Sequence, residues 1–212
     1  MTLLKHLLIV EDHPICVTAL TMAIQTRDST VVVDHCDSVA RGRDLLRSKS
    51  FGALVLDLGL ADSSGLFTLV QMRAEEPDLP ILIVSADESD GTAMRARAGG
   101  AQGFLSKSAP VTEMGEAIAT VLNGAEYFKG DNEPNSSARM VAEDLSALSR
   151  AQLRVMSQLA AGKPNKIIAS DLGLAEGTVK SHISAIFRAL QVTNRAGAIL
   201  RLQEINRGAM IG

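Results

Sequence analysis

The sequence lacks several features that would assign it to a specialised class of protein. Among 212 residues it has no tryptophan, one tyrosine and two cysteines, and no apolar run approaches the ~20 residues of a membrane span. The apolar stretch within residues 1–10 is too short for a signal peptide and has no cleavage-type small residues after it. Cys16 and Cys36 are unpatterned and lie among apolar residues, so buried thiols are expected. We therefore expect a cytoplasmic protein without a membrane segment.

The sequence does contain enough apolar residues, 46%, to form real cores, and its length suits two small domains better than one large domain. Charge is unevenly distributed: residues 1–127 carry a net charge of −7, whereas residues 149–212 carry +6. A basic C-terminal segment on an acidic chain favours a polyanionic partner for that segment. Chance asymmetry in a small domain explains the charge equally well, so charge alone does not decide.

Five short apolar runs alternate with helical patterns in residues 1–127. This alternation predicts an α/β domain of five βα units, in which a parallel sheet is covered by helices on both faces. By analogy we expect the flavodoxin-like strand order. The predicted strands are Leu7–Val10, Val31–Val33, Ala53–Leu56, Ile81–Val84 and Gly103–Leu105. The predicted helices are Pro14–Thr26, Ser38–Ser48, Gly65–Glu75, Asp90–Ala98 and Val111–Leu122.

The pattern changes after residue 127. Residues 128–147 are polar and contain glycine and proline, which predicts a linker, with a possible short helix at Ala138–Leu148. Residues 148–212 predict a small all-α domain of four helices, the first capped by Ser149 and ending near Ala161. The later helices are predicted at Asn165–Leu172, Glu176–Leu190 and Asn194–Ile205. A short helix, a turn with glycine and a longer helix form a helix-turn-helix pattern.

Acidic residues follow two of the predicted strands. Asp57 ends the third strand, where a lone Asp is more often a turn or helix cap. Glu11 and Asp12 follow the first strand, and a 2-1-3 strand order brings all three carboxylates together. Such a cluster repels itself unless it takes up protons or a cation, and oxygen ligands with room for water suit Mg²⁺. Ser85 and Lys107 end the fourth and fifth strands at the same edge.

This set of residues suits phosphoryl transfer. An Asp carboxylate can attack a phosphoryl group, while Mg²⁺ and a lysine neutralise its charge. We therefore predict Asp57 as the phosphoacceptor, Glu11 and Asp12 as metal ligands, and Lys107 and Ser85 as contacts of the phosphoryl oxygens. Two neighbouring residues receive weaker interpretations. His13 is interpreted as structural, and Asp87 either orients a hydrolytic water or is a solvated loop acid.

The helix-turn-helix, Asn165 to Ser184, contains the candidate DNA contacts. Lys180, Ser181 and Ser184 lie early in its second helix, the part that enters the major groove in such motifs, where they can donate to bases or backbone. Lys166 and Thr178 are predicted phosphate contacts. A helical interaction module with a solvated basic face is the alternative. The apolar residues predicted to form the core are Ile167, Ile168, Leu172, Leu174, Val179 and Ile183.

Residues 5–125 resemble the receiver domain of bacterial two-component response regulators. The resemblance is clearest in Asp57–Leu66 and Phe104–Ser108, and all five marker positions of the family are filled. It implies that the carbonyl of Gly59 completes the metal site and that Phe104 packs inward during switching. The chain departs from the family at Ala61, where proline is frequent, and at Ser85, where threonine is commoner.

Residues 146–207 are similar to the LuxR-type DNA-binding domain, with Gly-Thr-Val-Lys-Ser-His at 177–182 as the strongest signature. Gln152 and Ile167 replace glutamates that are common there. The two resemblances together imply a NarL/FixJ-type regulator, a receiver in residues 1–127 joined to a DNA-binding domain in residues 148–212. They also imply a sensor histidine kinase as phosphoryl donor, promoter DNA as partner, a homodimer when active and no enzymatic role.

Two other functions remain as alternatives. A haloacid-dehalogenase-like phosphatase also uses Asp and Mg²⁺, but it requires a second Asp two residues after the nucleophile, and Gly59 stands there. The other alternative is a regulator that binds DNA constitutively and uses its receiver only for dimerisation. A phosphorylation assay separates this second alternative from a phosphorylation-controlled regulator.

Overall fold

The computed structural model describes residues 5–129 and 147–207. The strands are β1 His6–Val10, β2 Val32–Cys36, β3 Ala53–Asp57, β4 Ile81–Ser85 and β5 Gly103–Ser106. The helices between and after them are α1 Pro14–Arg27, α2 Val39–Ser48, α3 Leu66–Glu75, α4 Asp90–Ala98 and α5 Val111–Leu122. The second described range contains α6 Arg150–Ala160, α7 Asn165–Leu172, α8 Glu176–Ala189 and α9 Arg195–Arg207.

The five strands form one parallel sheet in the order β2-β1-β3-β4-β5. This arrangement confirms the predicted fold class and the predicted strand order. Every residue of β3 and β4 is buried, as expected for inner strands whose two faces are both covered by helices. Because β1 and β3 are neighbours, with Val10 opposite Leu56, the residues that follow Val10 lie beside the end of β3.

The predicted extent of β2 was wrong. The strand begins at Val32 and continues to Cys36, because its pairing with β1 extends as far as Val10 opposite Cys36. The outermost position of β2 leaves Asp34 half-buried and His35 exposed. These polar residues end the apolar run in the sequence without ending the strand.

The C-terminal helices pack around an apolar core that includes Val155, Met156 and Ile186. The predicted cap of α6 is confirmed, since Ser149 accepts a hydrogen bond from the backbone of Gln152 and the Gln152 side chain accepts one from the backbone of Ser149. Gln152 thus performs the reciprocal capping that glutamate performs elsewhere.

The prediction that Ile167 joins this core was wrong, because its side chain is 45% exposed. Ile168, the next residue, is fully buried. Consecutive residues of a helix point about 100° apart, so a helix as short as α7 buries one stripe and exposes the residues beside it.

One helix of the first domain contributes to the second core. Phe67 of α3 is fully buried among the apolar residues of α6 to α9, so α3 packs against both domains. The predicted linker at 128–147 falls mostly outside the described residues, and the domain boundaries stay predictions. No helix in the described ranges is long and apolar enough to cross a membrane.

Candidate functional site

An acidic cluster occupies the carboxyl edge of the sheet. Glu11, Asp12 and His13 follow β1 directly, Asp57 is the last residue of β3, and one ligand atom from each of these four residues lies within 4.8 Å of the others. Glu11 and Asp57 are each 2% exposed, whereas Asp12 is exposed. The fold therefore brings together the three carboxylates that the strand order predicted.

Lys107, in the loop after β5, holds the two buried acids. Its Nζ lies 2.9 Å from Asp57 Oδ2, 2.9 Å from Glu11 Oε1 and 2.7 Å from Glu11 Oε2. Burial is the largest single influence on the pKa of Lys107, and it lowers that pKa. The hydrogen bonds and negative charges of Glu11 and Asp57 together outweigh burial, so the pKa of Lys107 is raised. Burial likewise raises the pKa of Glu11, and the hydrogen bonds from Lys107 and His13 outweigh it and lower the pKa. Both groups are therefore charged at neutral pH.

His13 belongs to this cluster, which the sequence interpretation missed. Its Nδ1 lies 2.9 Å from Glu11 Oε1 and 2.8 Å from Asp12 Oδ1, and its backbone N–H donates to Glu11 Oε1 at 3.0 Å. The hydrogen bond with Glu11 is the main reason that the pKa of His13 is raised. The available signal was its position immediately after Glu11 and Asp12 at the end of a strand.

Both oxygens of Asp57 already have a hydrogen-bond donor. Oδ2 accepts from Lys107 Nζ, and Oδ1 accepts from the backbone N–H of Gly59 at 2.9 Å. A Cβ at position 59 would lie 3.4 Å from each Asp57 oxygen, so glycine leaves the approach to the carboxylate open. The structure places Gly59 beside Asp57, while the predicted role of its carbonyl as a metal ligand stays a prediction.

The cluster fits a hard divalent cation. Glu11 Oε2 is buried and forms an ion pair with Lys107 Nζ at 2.7 Å. Three carboxylates gathered at one edge of the sheet supply the oxygen donors that Mg²⁺ prefers. The exposed side of Asp12 gives the water access that Mg²⁺ also requires.

Ser85 ends β4 at the same edge and is 8% exposed. Its hydroxyl accepts a hydrogen bond from Asp87 N at 3.1 Å. The Asp87 carboxylate is occupied by the start of α4, because it accepts from Thr92 Oγ1 at 2.6 Å and from Ser89 N at 3.0 Å. The Thr92 hydrogen bond is the main reason that the pKa of Asp87 is lowered. Because the Asp87 carboxylate is held by these contacts in the loop before α4, they favour a loop acid over a residue that orients a hydrolytic water.

Phe104, the candidate switch residue, is half-buried in β5. Its side chain packs against the apolar core that includes Leu56 and Ile83. Phe104 is also among the residues that line a pocket of about 320 Å³, together with Glu88 and Pro110. The switch role itself stays a prediction.

The candidate DNA-contacting residues share one property, exposure to solvent: Lys166, Thr178, Lys180, Ser181 and Ser184. On α8, Lys180 pairs with Glu176 at 3.3 Å. The hydroxyls of Ser181 and Ser184 donate to backbone carbonyls one turn earlier, at 3.1 Å. The opposite side of α8 packs into the core through Val179 and Ile186, both fully buried. The helix therefore presents one polar face while the other secures it to its domain.

Two protein families match the chain in separate segments. The family described as response regulator receiver domain matches residues 7–119. The family described as bacterial regulatory proteins, luxR family, matches residues 146–202. The two matches therefore fall on the sheet domain and the helical domain respectively.

Among curated proteins, the glycerol metabolism activator of Pseudomonas putida is 34% identical over 211 residues, covering 94% of this chain and 96% of that protein. The nitrate/nitrite response regulator protein NarP of Escherichia coli is 31% identical over 209 residues, covering 96% of each. Among solved structures, RcsB from Salmonella enterica serovar Typhimurium, bound to promoter P1flhDC with the phosphomimetic BeF3−, aligns with a TM-score of 0.55 at 18% identity. That alignment covers 96% of this chain and all of RcsB, and it supports the fold.

Proposed function

The chain belongs to the response regulators of two-component systems, DNA-binding transcription regulators with a receiver and a LuxR-type domain, and on that premise we propose that phosphorylation of Asp57 controls DNA binding. The observation that carries this proposal is the position of Asp57. Its buried carboxylate lies 2.9 Å from the Lys107 ammonium group, at an edge where Glu11 and Asp12 add two further acids.

The reaction is a transfer to carboxylate. One oxygen of Asp57 attacks the phosphorus of the donor, the bond from phosphorus to the donor breaks, and the leaving group departs with that electron pair. The product is an acyl phosphate on Asp57. Lys107 stabilises the added negative charge, and the Ser85 hydroxyl donates a hydrogen bond to a phosphoryl oxygen.

Magnesium is the cofactor that we assign to this site. The residues that would hold it are Glu11, Asp12, Asp57 and the Gly59 carbonyl, and its charge would neutralise the phosphoryl oxygens. The three carboxylates, which each bring an oxygen within 4.8 Å of the others, support this assignment.

We propose that the protein acts in the cytoplasm and that its donor is a sensor histidine kinase, with a small acyl phosphate as a substitute. An apolar patch supports a protein donor, since Ile15 is 86% exposed, Met22 59% and Val111 49%. Ile15 lies only two residues after His13 of the acidic cluster. Exposed apolar patches on soluble domains commonly mark interaction sites.

The output that we propose is a change in DNA binding. Phosphorylation moves Ser85 and Phe104, changes the surface formed by α4, β5 and α5, and favours a homodimer whose two α8 helices enter adjacent half-sites. Such coupling requires little energy, because a hundredfold change in affinity corresponds to about 2.7 kcal/mol.

Constitutive DNA binding is the second candidate, and one observation favours it. The five candidate DNA contacts are exposed while α3 packs against the C-terminal domain, so the packed receiver leaves the recognition face open. In that case the receiver serves only for dimerisation and Asp57 has no effect on the affinity for DNA.

The direct test measures affinity for DNA fragments selected from a genomic library, with and without acetyl phosphate and Mg²⁺. We expect the dissociation constant to change at least fivefold on phosphorylation, because allosteric couplings begin at about that size. Equal dissociation constants, measured on protein shown by mass spectrometry to carry the phosphoryl group, would support the constitutive candidate instead.

Replacing Lys180 by Ala should weaken binding to the same fragments. If Lys180 contacts guanine, we expect a loss of about 1–3 kcal/mol on the preferred sequence and relaxed specificity; if it contacts phosphate, the salt dependence should fall by about one charge. Lys163→Ala is the matched control, because Lys163 pairs with Asp171 at 2.7 Å and lies outside α8. Unchanged affinity and salt dependence in Lys180→Ala would refute the assignment of α8 as the recognition helix.

A further inference from the structure

Helix α3 has one face in each domain. Leu69 and Met72 are fully buried in the receiver core, whereas Phe67 is fully buried in the core of the C-terminal domain. Val70 and Ala74 also pack against that second core. A helix on the surface of a sheet normally buries one stripe, so burial on both sides marks α3 as the element shared by the two domains.

Gln71 adds a polar link to this shared helix. Its side chain is 4% exposed, and its Nε2 donates to the carbonyl of Leu153 in α6 at 2.9 Å. Its Oε1 accepts from Arg43 Nη2 of α2 at 3.0 Å. The two contacts together fix the orientation of the amide, because Arg43 can only donate and the Leu153 carbonyl can only accept. Both ends of the Gln71 amide are therefore used, one in each domain.

The same network begins at the loop that follows Asp57. Asp62, five residues after the acceptor, accepts hydrogen bonds from the backbone N–H groups of Val39 and Ala40, both at 2.9 Å. These are the first two residues of α2, and Arg43 lies one turn later on that helix. The loop after Asp57, here called the acceptor loop, is thus hydrogen-bonded to α2, and α2 in turn contacts Gln71 of α3 through Arg43.

The acceptor loop also borders the C-terminal domain directly. A cavity of about 370 Å³ lies between Ala61–Ser64 on one side and Ser157, Ile199 and Leu202 of α6 and α9 on the other. The loop therefore has room to move against α6 and α9.

From these contacts we infer that phosphorylation of Asp57 is transmitted through the acceptor loop and α3, with Gln71 as the positioning residue that keeps the domains packed. The inference rests on the proposed function and adds a route separate from the surface formed by α4, β5 and α5. Each Asp57 oxygen accepts one hydrogen bond, from Lys107 or from the Gly59 N–H, and an acyl phosphate weakens these bonds because it removes the negative charge of the carboxylate. Rearrangement at Gly59 moves the loop that carries Asp62, and the α3 contacts with α6 then open.

The test is hydrogen exchange on the full chain, followed in peptides from α3 and α6. Beryllofluoride with Mg²⁺ serves as the probe of the phosphorylated state. We expect it to increase exchange in both peptides, because amide protection falls when a local contact opens. Gln71→Leu, without the probe, should increase exchange in the same two peptides.

Thermodynamic linkage between binding at Asp57 and opening of the interface gives a second measurement. If occupation of Asp57 opens the interface, a variant that is already open should bind beryllofluoride more tightly, by about fivefold at the lower end of known couplings. Calorimetric titration of Gln71→Leu measures this change. Gln71→Glu provides a second variant, because it keeps an acceptor for Arg43 but replaces the donor to Leu153 by a carboxylate oxygen, which the Leu153 carbonyl repels. We expect a change in the same direction.

Gln102→Leu is the matched control. Like Gln71, Gln102 accepts a hydrogen bond from an arginine, Arg73, at 2.6 Å. Its second hydrogen bond, from the backbone N–H of Ile81 at 2.8 Å, also stays within the receiver. Gln102→Leu should leave exchange in α6 and the affinity for beryllofluoride unchanged.

Unchanged or slower exchange in α3 and α6 at saturating beryllofluoride would overturn the inference, as would equal affinities in Gln71→Leu and the wild type. If acetyl phosphate still labels Asp57, the proposed function stands despite either result. Failure of labelling would refute the proposed function instead, and the exchange of Gln71→Leu without the probe would still report whether Gln71 holds the domains together.

Discussion

Asp57→Asn is expected to remove all labelling of the protein by acetyl phosphate, whereas the wild type gains one phosphoryl group. The amide of Asn has nearly the shape of the carboxylate but is not a competent nucleophile. The other buried acid of the cluster, Glu11, already pairs with Lys107 and His13, which leaves it poorly placed to attack. Intact-mass spectrometry measures the label, and EDTA should abolish it in the wild type.

Asp78→Asn is the control for this substitution. Asp78 is exposed in the loop between α3 and β4, outside the acidic cluster. It should be labelled like the wild type. Labelling of Asp57→Asn at the wild-type level would refute the assignment of Asp57 as the phosphoacceptor. Asp57→Asn should also bind DNA with an affinity that acetyl phosphate does not alter.

Lys107→Met is expected to destabilise the protein by about 3 kcal/mol at pH 7 in EDTA, because removing one partner of a buried ion pair leaves charge without compensation. Here two buried carboxylates, Glu11 and Asp57, lose their shared cation. Methionine preserves most of the volume, so the loss of charge dominates. Mg²⁺ should restore part of the stability, since it binds the folded cluster more tightly than the unfolded chain. Urea denaturation with and without Mg²⁺ measures both effects.

The stability of this variant should depend less on pH than that of the wild type. In the wild type the pKa of Glu11 is lowered, so its contribution to stability is present above the ordinary pKa and is lost as the pH falls through the folded value. Without Lys107, its hydrogen bond and charge no longer lower the pKa of Glu11, so this pKa is higher than in the wild type and acidification destabilises the variant less. The difference in unfolding free energy between wild type and variant should therefore be smaller at pH 4 than at pH 7.

Lys49→Met is the control, because Lys49 pairs with Asp34 at 2.5 Å where both side chains are about one third exposed. Exposed pairs contribute about 1 kcal/mol or less, so this variant should lose little stability. A loss as large as that of Lys107→Met would show that the effect does not come from the buried cluster. A difference that grows on acidification would contradict the sign argued for Glu11.

Much of the site could be predicted because its signals are local in sequence. Asp57 closes an apolar run, and Glu11 and Asp12 follow another, so each acid is placed at a strand end by the residues before it. The strand order was taken by analogy, and the observed sheet confirms it. The roles of Gly59 and Phe104 came from the family resemblance and stay predictions. His13 was missed because a histidine beside proline is most often a helix-end residue, and its position directly after Glu11 and Asp12 was the signal that was passed over.

The sequence by itself determined the fold classes of the two domains and the types of residue at the edge of the sheet. Both follow from local patterns, namely the spacing of apolar residues along the chain and the polar residues that come directly after each apolar run. The tertiary structure alone decided how the domains meet. Phe67 and Gln71 look in sequence like ordinary residues of a receiver helix, yet Phe67 is buried in the other domain and Gln71 bonds to a carbonyl 82 residues away. Such contacts depend on how two surfaces pack, and no local pattern encodes that packing.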